Sequence, residues 1–466
     1  MDLLLTHGYF LSEDAKERQI MKPYVPLGIL YICSHLRQKG HDVEVFDSTF
    51  SSLEQLYARL TTGQPAVLGV YANLMTRGNV VKIIQAAKAA GWKVVAGGPE
   101  PGAYSAEYLA AGADVVVLGE GELVLEELLP TLKGGPRDVS ALSKVEGIAF
   151  IDDDGQVRQT GMRAQIADLD AQPWPARDAV DISQYLGAWR QAHGQGSVSF
   201  ITARGCPYKC RWCSHQVFGQ THRRRNPLAV VDEVEWLAQR YQPDMLWIAD
   251  DVFTIHHGWL RQYAAEMRRR GLHLAFECIS RADRLNPETV DLLAELGCFR
   301  LWVGSESGSQ RILDAMERGV RVEQVQQAVA MCKQRGIQTG MFLMWGYEGE
   351  ETSDINETIE HVKKANPDIF FTTVAYPIKG TPYYRRIEDQ LVKPERWAQS
   401  SDREIRVKGR HSRQYYQYAD QLLRDEVALA RLRRQVVPEQ TAIRNLEASI
   451  SSARFGLDAS FAEVEA

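Results

Sequence analysis

The chain has 466 residues, 45% apolar and 24% charged, with a net charge of −6; this is the composition of an ordinary globular protein and excludes disordered, collagen-like and coiled-coil chains. At roughly 100–200 residues per domain, the length implies two domains and an appendage. No apolar run approaches the ~20 residues needed to span a bilayer, the opening Met1-Asp2-Leu3-Leu4-Leu5 lacks the basic start of a signal peptide, and the weak net charge supplies no field to draw a polyanion; a cytoplasmic protein that does not act on nucleic acid is expected.

Over residues 1–135, short apolar runs alternate with helical periodicity, the pattern of a parallel α/β sheet. Strands are predicted at 2–6, 42–47, 66–70, 93–96 and 114–118, and helices at 27–38, 53–60, 79–90, 105–111 and 122–132. This order predicts a flavodoxin-like, doubly wound parallel sheet whose ligands bind beyond the carboxyl ends of the strands. Gly134, Gly135 and Pro136 break the last helix, Asp152-Asp153-Asp154-Gly155 predicts a hairpin turn, and Pro173-Trp174-Pro175 forbids continuous helix. Residues 136–195 are therefore expected to form a linker with a small hairpin. Over 196–384 the alternation resumes, with strands at 198–203, 245–249, 272–279, 300–304, 338–344 and 368–375. Helical spacing between them is carried by sets such as Val230, Val234, Leu237 and Tyr241. Six βα units predict a partial (β/α)6 TIM-type barrel with its chemistry at the carboxyl ends of the strands. Residues 385–466 become helical and charge-rich, and the run Arg403, Arg406, Lys408, Arg410, Arg413 is expected to be a solvated face.

Seven cysteines without a signal peptide do not make a disulfide framework. Cys33, Cys278, Cys298 and Cys332 lie singly among apolar neighbours and are expected in the core. Cys206, Cys210 and Cys213 instead fall within eight residues, in Arg204-Gly205-Cys206-Pro207-Tyr208-Lys209-Cys210-Arg211-Trp212-Cys213, directly after the first barrel strand. Three thiolates at this spacing can hold three irons of a cubane cluster and leave the fourth open to a ligand. The alternative is a structural zinc site with His215 as a fourth ligand; closed zinc sites usually combine two ligand pairs, and no second pair lies nearby.

The C-x3-C-x2-C run, with Trp212 before its last cysteine, resembles the signature of the radical SAM superfamily. The resemblance implies that Cys206, Cys210 and Cys213 bind a 4Fe-4S cluster. It further implies that S-adenosylmethionine (SAM) chelates the open iron, and that an electron from an external donor such as flavodoxin or ferredoxin cleaves it to a 5′-deoxyadenosyl radical. Other strand ends resemble the same family. Asp250 and Asp251 stand where its members contact the SAM ammonium, and Gly304-Ser305-Glu306-Ser307-Gly308 resembles a G-x-E-S-G segment whose Glu306 faces the ribose. Arg281 follows the third strand and is suited to the SAM carboxylate, which a guanidinium grips bidentately. Gly346, in Trp345-Gly346-Tyr347-Glu348-Gly349-Glu350, follows the fifth strand; Gly380, in Pro377-Ile378-Lys379-Gly380-Thr381-Pro382-Tyr383, resembles the family's P-x-x-G-T-P-x-Y segment near the adenine.

The first domain resembles the cobalamin-binding domain fused to many radical SAM enzymes. The resemblance lies in Pro26-Leu27-Gly28, in Gly40-His41-Asp42, in Gly97-Gly98-Pro99-Glu100 and in Leu118-Gly119-Glu120-Gly121. It implies that Gly97, Gly98, Gly119 and Glu120 lie against cobalamin, with Leu74 and Met75 facing the lower side of cobalt. The motif D-x-H-x-x-G, which supplies a histidine to cobalt in one branch of such domains, is absent: Leu5 stands where the aspartate belongs, and His7 has no orienting acid in its own stretch.

With cobalamin and SAM as cofactors, the resemblance implies methyl transfer to an unactivated carbon of a lipid, tetrapyrrole or other natural product. Alternatives are an oxidative cyclisation or rearrangement, as in the anaerobic Mg-protoporphyrin monomethyl ester cyclases, and a noncatalytic metal-binding protein. The RNA-modifying methylthiotransferases share the cysteine spacing but hold a second cluster on three N-terminal cysteines, and here that region has only Cys33.

Overall fold

A computed structural model describes residues 1–133, 135 and 138–466. The helix break placed at Gly134 and Pro136 lies outside the described residues. The chain forms two compact units. The first comprises 1–207, 214–249 and 395–401, and the second comprises 208–213, 250–394 and 402–466. Among the described residues no helix is long and apolar enough to cross a membrane.

The first unit is built on β1 (Leu3–His7), β2 (Val43–Val45), β3 (Val67–Tyr71), β4 (Lys93–Gly97) and β5 (Val115–Val117), parallel in the order β2-β1-β3-β4-β5. Alternate side chains serve opposite faces. Leu4, Leu68, Val70, Val94 and Val116 pack with Leu56, Leu60, Val80, Ile84 and Tyr108 of one set of helices. Leu3, Leu5, Val67, Val95 and Val117 pack on the other side with Ile29, Cys33, Leu36, Leu125 and Leu129. The doubly wound order expected from the alternation is thus present, with helices Leu27–Gln38, Leu53–Thr62, Arg77–Ala89, Ser105–Ala110 and Glu122–Lys133 close to their predicted limits.

The stretch expected to be a linker is more ordered than its prolines suggested. Its hairpin, β6 (Ile148–Ile151) and β7 (Val157–Gln159), continues the same sheet antiparallel to β5 and buries Ile148 and Phe150 completely. A helix follows at Ile182–His193, capped by the Asp181 carboxylate at its start and by left-handed Gly194 at its end. Its Tyr185 hydroxyl donates to Asp47 (2.7 Å) and its Trp189 indole to the Pro23 carbonyl (2.8 Å), which fastens the helix to the first unit.

The six parallel strands expected of the second half all form. Two belong to the first unit: β8 (Ser197–Phe200), then a short hairpin of β9 (Ala203–Arg204) and β10 (Arg223–Arg224), and β11 (Met245–Ile248) parallel to β8. Four belong to the second unit: β12 (Ala275–Ser280), β13 (Cys298–Glu306), β14 (Gln338–Trp345) and β15 (Ile369–Val374), each parallel to the next. Cys278, Cys298 and Cys332 are buried there, as expected of small apolar residues. Beyond β15 a two-stranded ribbon, β16 (Leu391–Val392) and β17 (Arg406–Val407), precedes helices Arg413–Arg433 and Gln440–Ala459. The basic run is not uniformly solvated, because Arg410 is nearly buried and donates to the Glu465 carboxylate (2.8 Å) and to the Ala375 carbonyl.

Candidate functional site

The cysteine loop begins at Gly205, whose φ of +83° and whose position, where a Cβ would lie 2.3 Å from the Thr221 carbonyl, admit only glycine. None of the three cysteines is in a disulfide; Cys206 is half-buried, Cys210 buried and Cys213 exposed. Within the second unit the loop is pinned by three backbone hydrogen bonds: Cys213 N to Cys210 O (3.2 Å), Arg211 N to Met316 O (3.1 Å) and Tyr383 N to Arg211 O (2.9 Å). Trp212 lies partly buried against the apolar cluster of Ile312, Met316, Met344, Tyr347 and Tyr383.

Cys210 Sγ is approached by two guanidinium groups, Arg281 Nη1 and Arg318 Nη1, each at 3.8 Å. Arg281 stacks over the Tyr208 ring (3.6 Å to the centroid), donates to Asp283 (2.9 Å) and donates to the Arg318 carbonyl (2.8 Å). Arg318 donates to the Gly304 carbonyl (2.8 Å), and its Nε stands 3.8 Å from Glu306 Oε1. Gly304 leaves the room they need, since a Cβ there would lie 2.7 Å from both Arg318 Nη2 and Glu306 Oε1. Glu306 ends β13 in the left-handed region, φ +63°, a conformation that costs a non-glycine residue energy and that surrounding structure must enforce. Burial pushes its carboxyl up, against the pull of Arg318 and Arg281.

Two buried cations facing one sulfur concentrate positive charge at that point, which suits an anionic ligand. The donor chemistry of the loop therefore fits an iron–sulfur cluster, and the surplus positive charge fits a carboxylate-bearing ligand beside it. Among the described residues no group of three or more His, Cys, Asp or Glu side chains stands as a ready metal site. The three-thiol assignment thus rests on their spacing and on the chemistry around Cys210.

The other predicted contacts fall out variously. Asp250 is buried after β11; Asp251 reaches solvent, yet the protein packed around its carboxyl and the charge of Asp250 push it up to about 6. Gly346 has φ +69°, and a Cβ there would meet the Tyr416 ring at 2.8 Å. Gly380 is exposed with φ +91°, in a turn where Thr381 Oγ1 accepts from Tyr384 N (3.1 Å). Tyr383, Tyr384, Tyr415 and Tyr416 are buried in packing. Arg318 and Tyr208 are absent from the sequence-based set; the only local sign of Arg318 is the turn between left-handed Glu317 and Gly319 that displays it.

At the strand ends of the first unit, Leu74 is half-buried and Met75 is 53% exposed, in a loop held by Asn73 Oδ1 accepting from Met75 N and Thr76 N. Gly97 is uncrowded, since a Cβ there would make only an ordinary contact with Val117 at 3.7 Å. Gly98 is needed by the fold itself, with φ +112° and the Ala72 carbonyl 2.4 Å from a would-be Cβ. Beside Gly119 stands Met162, 65% exposed and unforeseen from the sequence. Exposed thioethers and bare glycine backbone at these ends fit a broad, flat apolar ligand. Glu120 is differently disposed: it accepts from Arg204 (2.7 Å), Arg223 (2.7 Å) and Ile166 N (2.9 Å), so both oxygens are occupied by the protein. His7 does have an orienting acid, supplied from beyond β2: its Nε2 lies 3.1 Å from Asp47 Oδ1, and its Nδ1 accepts from Tyr9 N at 3.2 Å.

Two family models match the chain. Residues 200–362 match the Radical SAM superfamily, and residues 20–129 match the B12 binding domain. An uncharacterized methyltransferase of Pyrococcus horikoshii is 28% identical over 382 residues, 79% of this chain and 80% of that protein. The anaerobic magnesium-protoporphyrin IX monomethyl ester cyclase of Rubrivivax gelatinosus is 26% identical over 400 residues, 84% of this chain and 71% of that protein. The radical S-adenosylmethionine methyltransferase TsrM of Kitasatospora setae has the same fold, with a TM-score of 0.69 at 21% identity over 84% of this chain and 76% of that one.

Proposed function

The chain belongs to the radical SAM enzymes that carry a B12 binding domain, and from that premise we propose that it transfers a methyl group to an unactivated carbon of a small molecule. The observation that carries the site assignment is the pair of buried guanidinium groups at Cys210 Sγ. When bound, the cluster supplies the electron that cleaves SAM to a 5′-deoxyadenosyl radical, and cobalamin supplies the methyl carrier. Cys206, Cys210 and Cys213 would hold the cluster. Arg281 and Arg318 offer the carboxylate of SAM their charge, Asp250 and Asp251 suit its ammonium, and Glu306 suits its ribose hydroxyls. Trp212, Gly346 and Gly380 shape the walls of that site. Leu74, Met75, Gly97, Gly98 and Gly119 would lie along cobalamin, whereas Glu120 acts through Arg204 and Arg223 to hold the last of these loops. Hydrogen abstraction by a carbon radical requires no protein acid or base, so the side chains bind, orient and exclude water.

Methyl transfer is preferred because the methyltransferase relative aligns over most of both chains. The cyclase relative supports oxidative ring closure as a second reading. Anaerobic turnover separates them: methyl transfer forms S-adenosylhomocysteine together with 5′-deoxyadenosine, and 5′-deoxyadenosine without S-adenosylhomocysteine removes it. We place the reaction in the cytoplasm, with a flavodoxin or ferredoxin as electron donor and a lipid, tetrapyrrole or other natural product as substrate.

A further inference from the structure

The second unit holds an open surface cavity of about 480 Å³ lined by Val392, Lys393, Pro394, Glu404, Arg406 and Arg413, the four charged residues being exposed. Three of these residues are cationic and one is acidic. The ribbon sets the cations out: Val392 pairs with Arg406 across β16 and β17, Lys393 directly follows β16, and Arg413 opens the first long C-terminal helix. Lys393 is shared with Glu388 at 3.6 Å, but among the described residues neither Arg406 nor Arg413 forms a salt bridge. The lining residues sum to a net charge of +2, and two guanidinium forks suit a dianionic group with three terminal oxygens, which can occupy both forks at once, where the two oxygens of a carboxylate fill one.

The ribbon is fastened to the loop that follows β15. Asp402 Oδ2 accepts from Lys379 N (3.2 Å), Arg410 donates to the Ala375 carbonyl, and Lys393 Nζ lies 5.6 Å from the centre of the Tyr384 ring. The ribbon that carries Val392 and Arg406 is thus tied to the segment that leaves the carboxyl end of the last strand, the end at which folds of this kind place their substrates.

We propose that this cavity binds a phosphate or phosphonate group, and that the group is the anionic end of the substrate. Anion binding follows from the cavity alone; its assignment to the substrate rests on the methyltransferase reading. The probe is radiolabelled inorganic phosphate in equilibrium dialysis with the full chain. Saturable binding is expected, weakened at least about tenfold in Arg406→Gln/Arg413→Gln and unchanged in Arg433→Gln/Arg434→Gln, which removes the same charge from an exposed helix end. No saturable binding, or equal loss in both double variants, overturns the site. This measurement needs neither cluster nor SAM cleavage, so its outcome is independent of the radical chemistry. The source of the group is then read with reconstituted enzyme and paired compounds that differ only in a phosphate or phosphonate. A compound turned over with a KM raised about tenfold and kcat kept in Arg406→Gln/Arg413→Gln supports the substrate assignment. An unchanged KM shows that the cavity serves a free anion and overturns that assignment.

Discussion

Arg318 donates from Nη1 to Cys210 Sγ across 3.8 Å, from a position 108 residues further along the chain. A positive donor at a ligating sulfur favours the more negative, reduced state of a cluster, and hydrogen bonds to sulfur are among the levers that set cluster potentials. Arg318→Gln is therefore expected to lower the midpoint potential of the reconstituted cluster while leaving its iron content intact. EPR-monitored redox titration reads this directly, a tenfold change in the reduced fraction corresponding to about 59 mV for one electron. A potential that stays put, or rises, removes Arg318 from this role.

The cysteines divide into two chemically distinct groups. Substituting Cys206, Cys210 or Cys213 by Ala is expected to take anaerobically reconstituted protein from about four irons per chain to a small residue and to abolish deoxyadenosine formation. Cys33→Ala should keep both, because Cys33 is fully buried between a helix and the first sheet and only packs. Iron and sulfide analysis checks the pair, and full iron loading of Cys210→Ala would contradict the assignment.

His7 is already engaged on both ring nitrogens, by Asp47 and by the Tyr9 amide. It is therefore not expected to ligate cobalt. Protein loaded with cob(II)alamin should give the same EPR spectrum for the native chain and for His7→Phe, even though the variant loses the hydrogen bond to Asp47. A change in the axial nitrogen hyperfine pattern between the two would place His7 on the metal after all.

Much of this architecture was legible because it is written at short range. Leu3, Leu4 and Leu5 alternate between two cores as period-two patterning demands, and the three cysteines declare themselves by spacing within one loop. What escaped was written at long range. Asp47 reaches His7 from 40 residues away, and Arg318 reaches Cys210 from still further. The helix Ile182–His193 follows a stretch in which Pro173 and Pro175 oppose helix, although Asp181 and Gly194 are ordinary start and stop residues. Neighbouring identical letters also concealed different causes: Gly98 answers to the Ala72 carbonyl, while no described residue crowds Gly97.

That last contrast makes a test of the cobalamin face. Gly98→Ala is expected to destabilise the protein by about 1–3 kcal/mol, because the substituted residue must hold a left-handed conformation against a carbonyl. Gly97→Ala should leave the melting temperature near its native value, yet weaken cobalamin binding by about tenfold if a corrin lies against this backbone. Calorimetry and the visible absorbance of bound cobalamin separate the two effects. Normal cobalamin uptake by Gly97→Ala would move the ligand away from this loop.

Glu350 offers the clearest pH signature. Burial pushes its carboxyl up to about 8; Oε2 accepts from Gly346 N at 2.6 Å, while buried Oε1 has no hydrogen-bond partner among the described residues. The unfolded chain releases this proton near 4.5, whereas the folded chain keeps it to about 8. Between those values the folded state binds more protons, so the stability associated with this group is complete below about 4.5 and is lost as pH rises through about 8. Glu350→Gln carries no charge at any pH and lacks the effect. Its stability relative to the native chain should therefore improve steadily from about pH 5 to about pH 8, on the order of a few kcal/mol in all. Urea midpoints measured at intervals across that range give the difference; a gap that does not vary with pH, or one that moves in favour of the native chain, would mean that Glu350 is ionised in the folded protein.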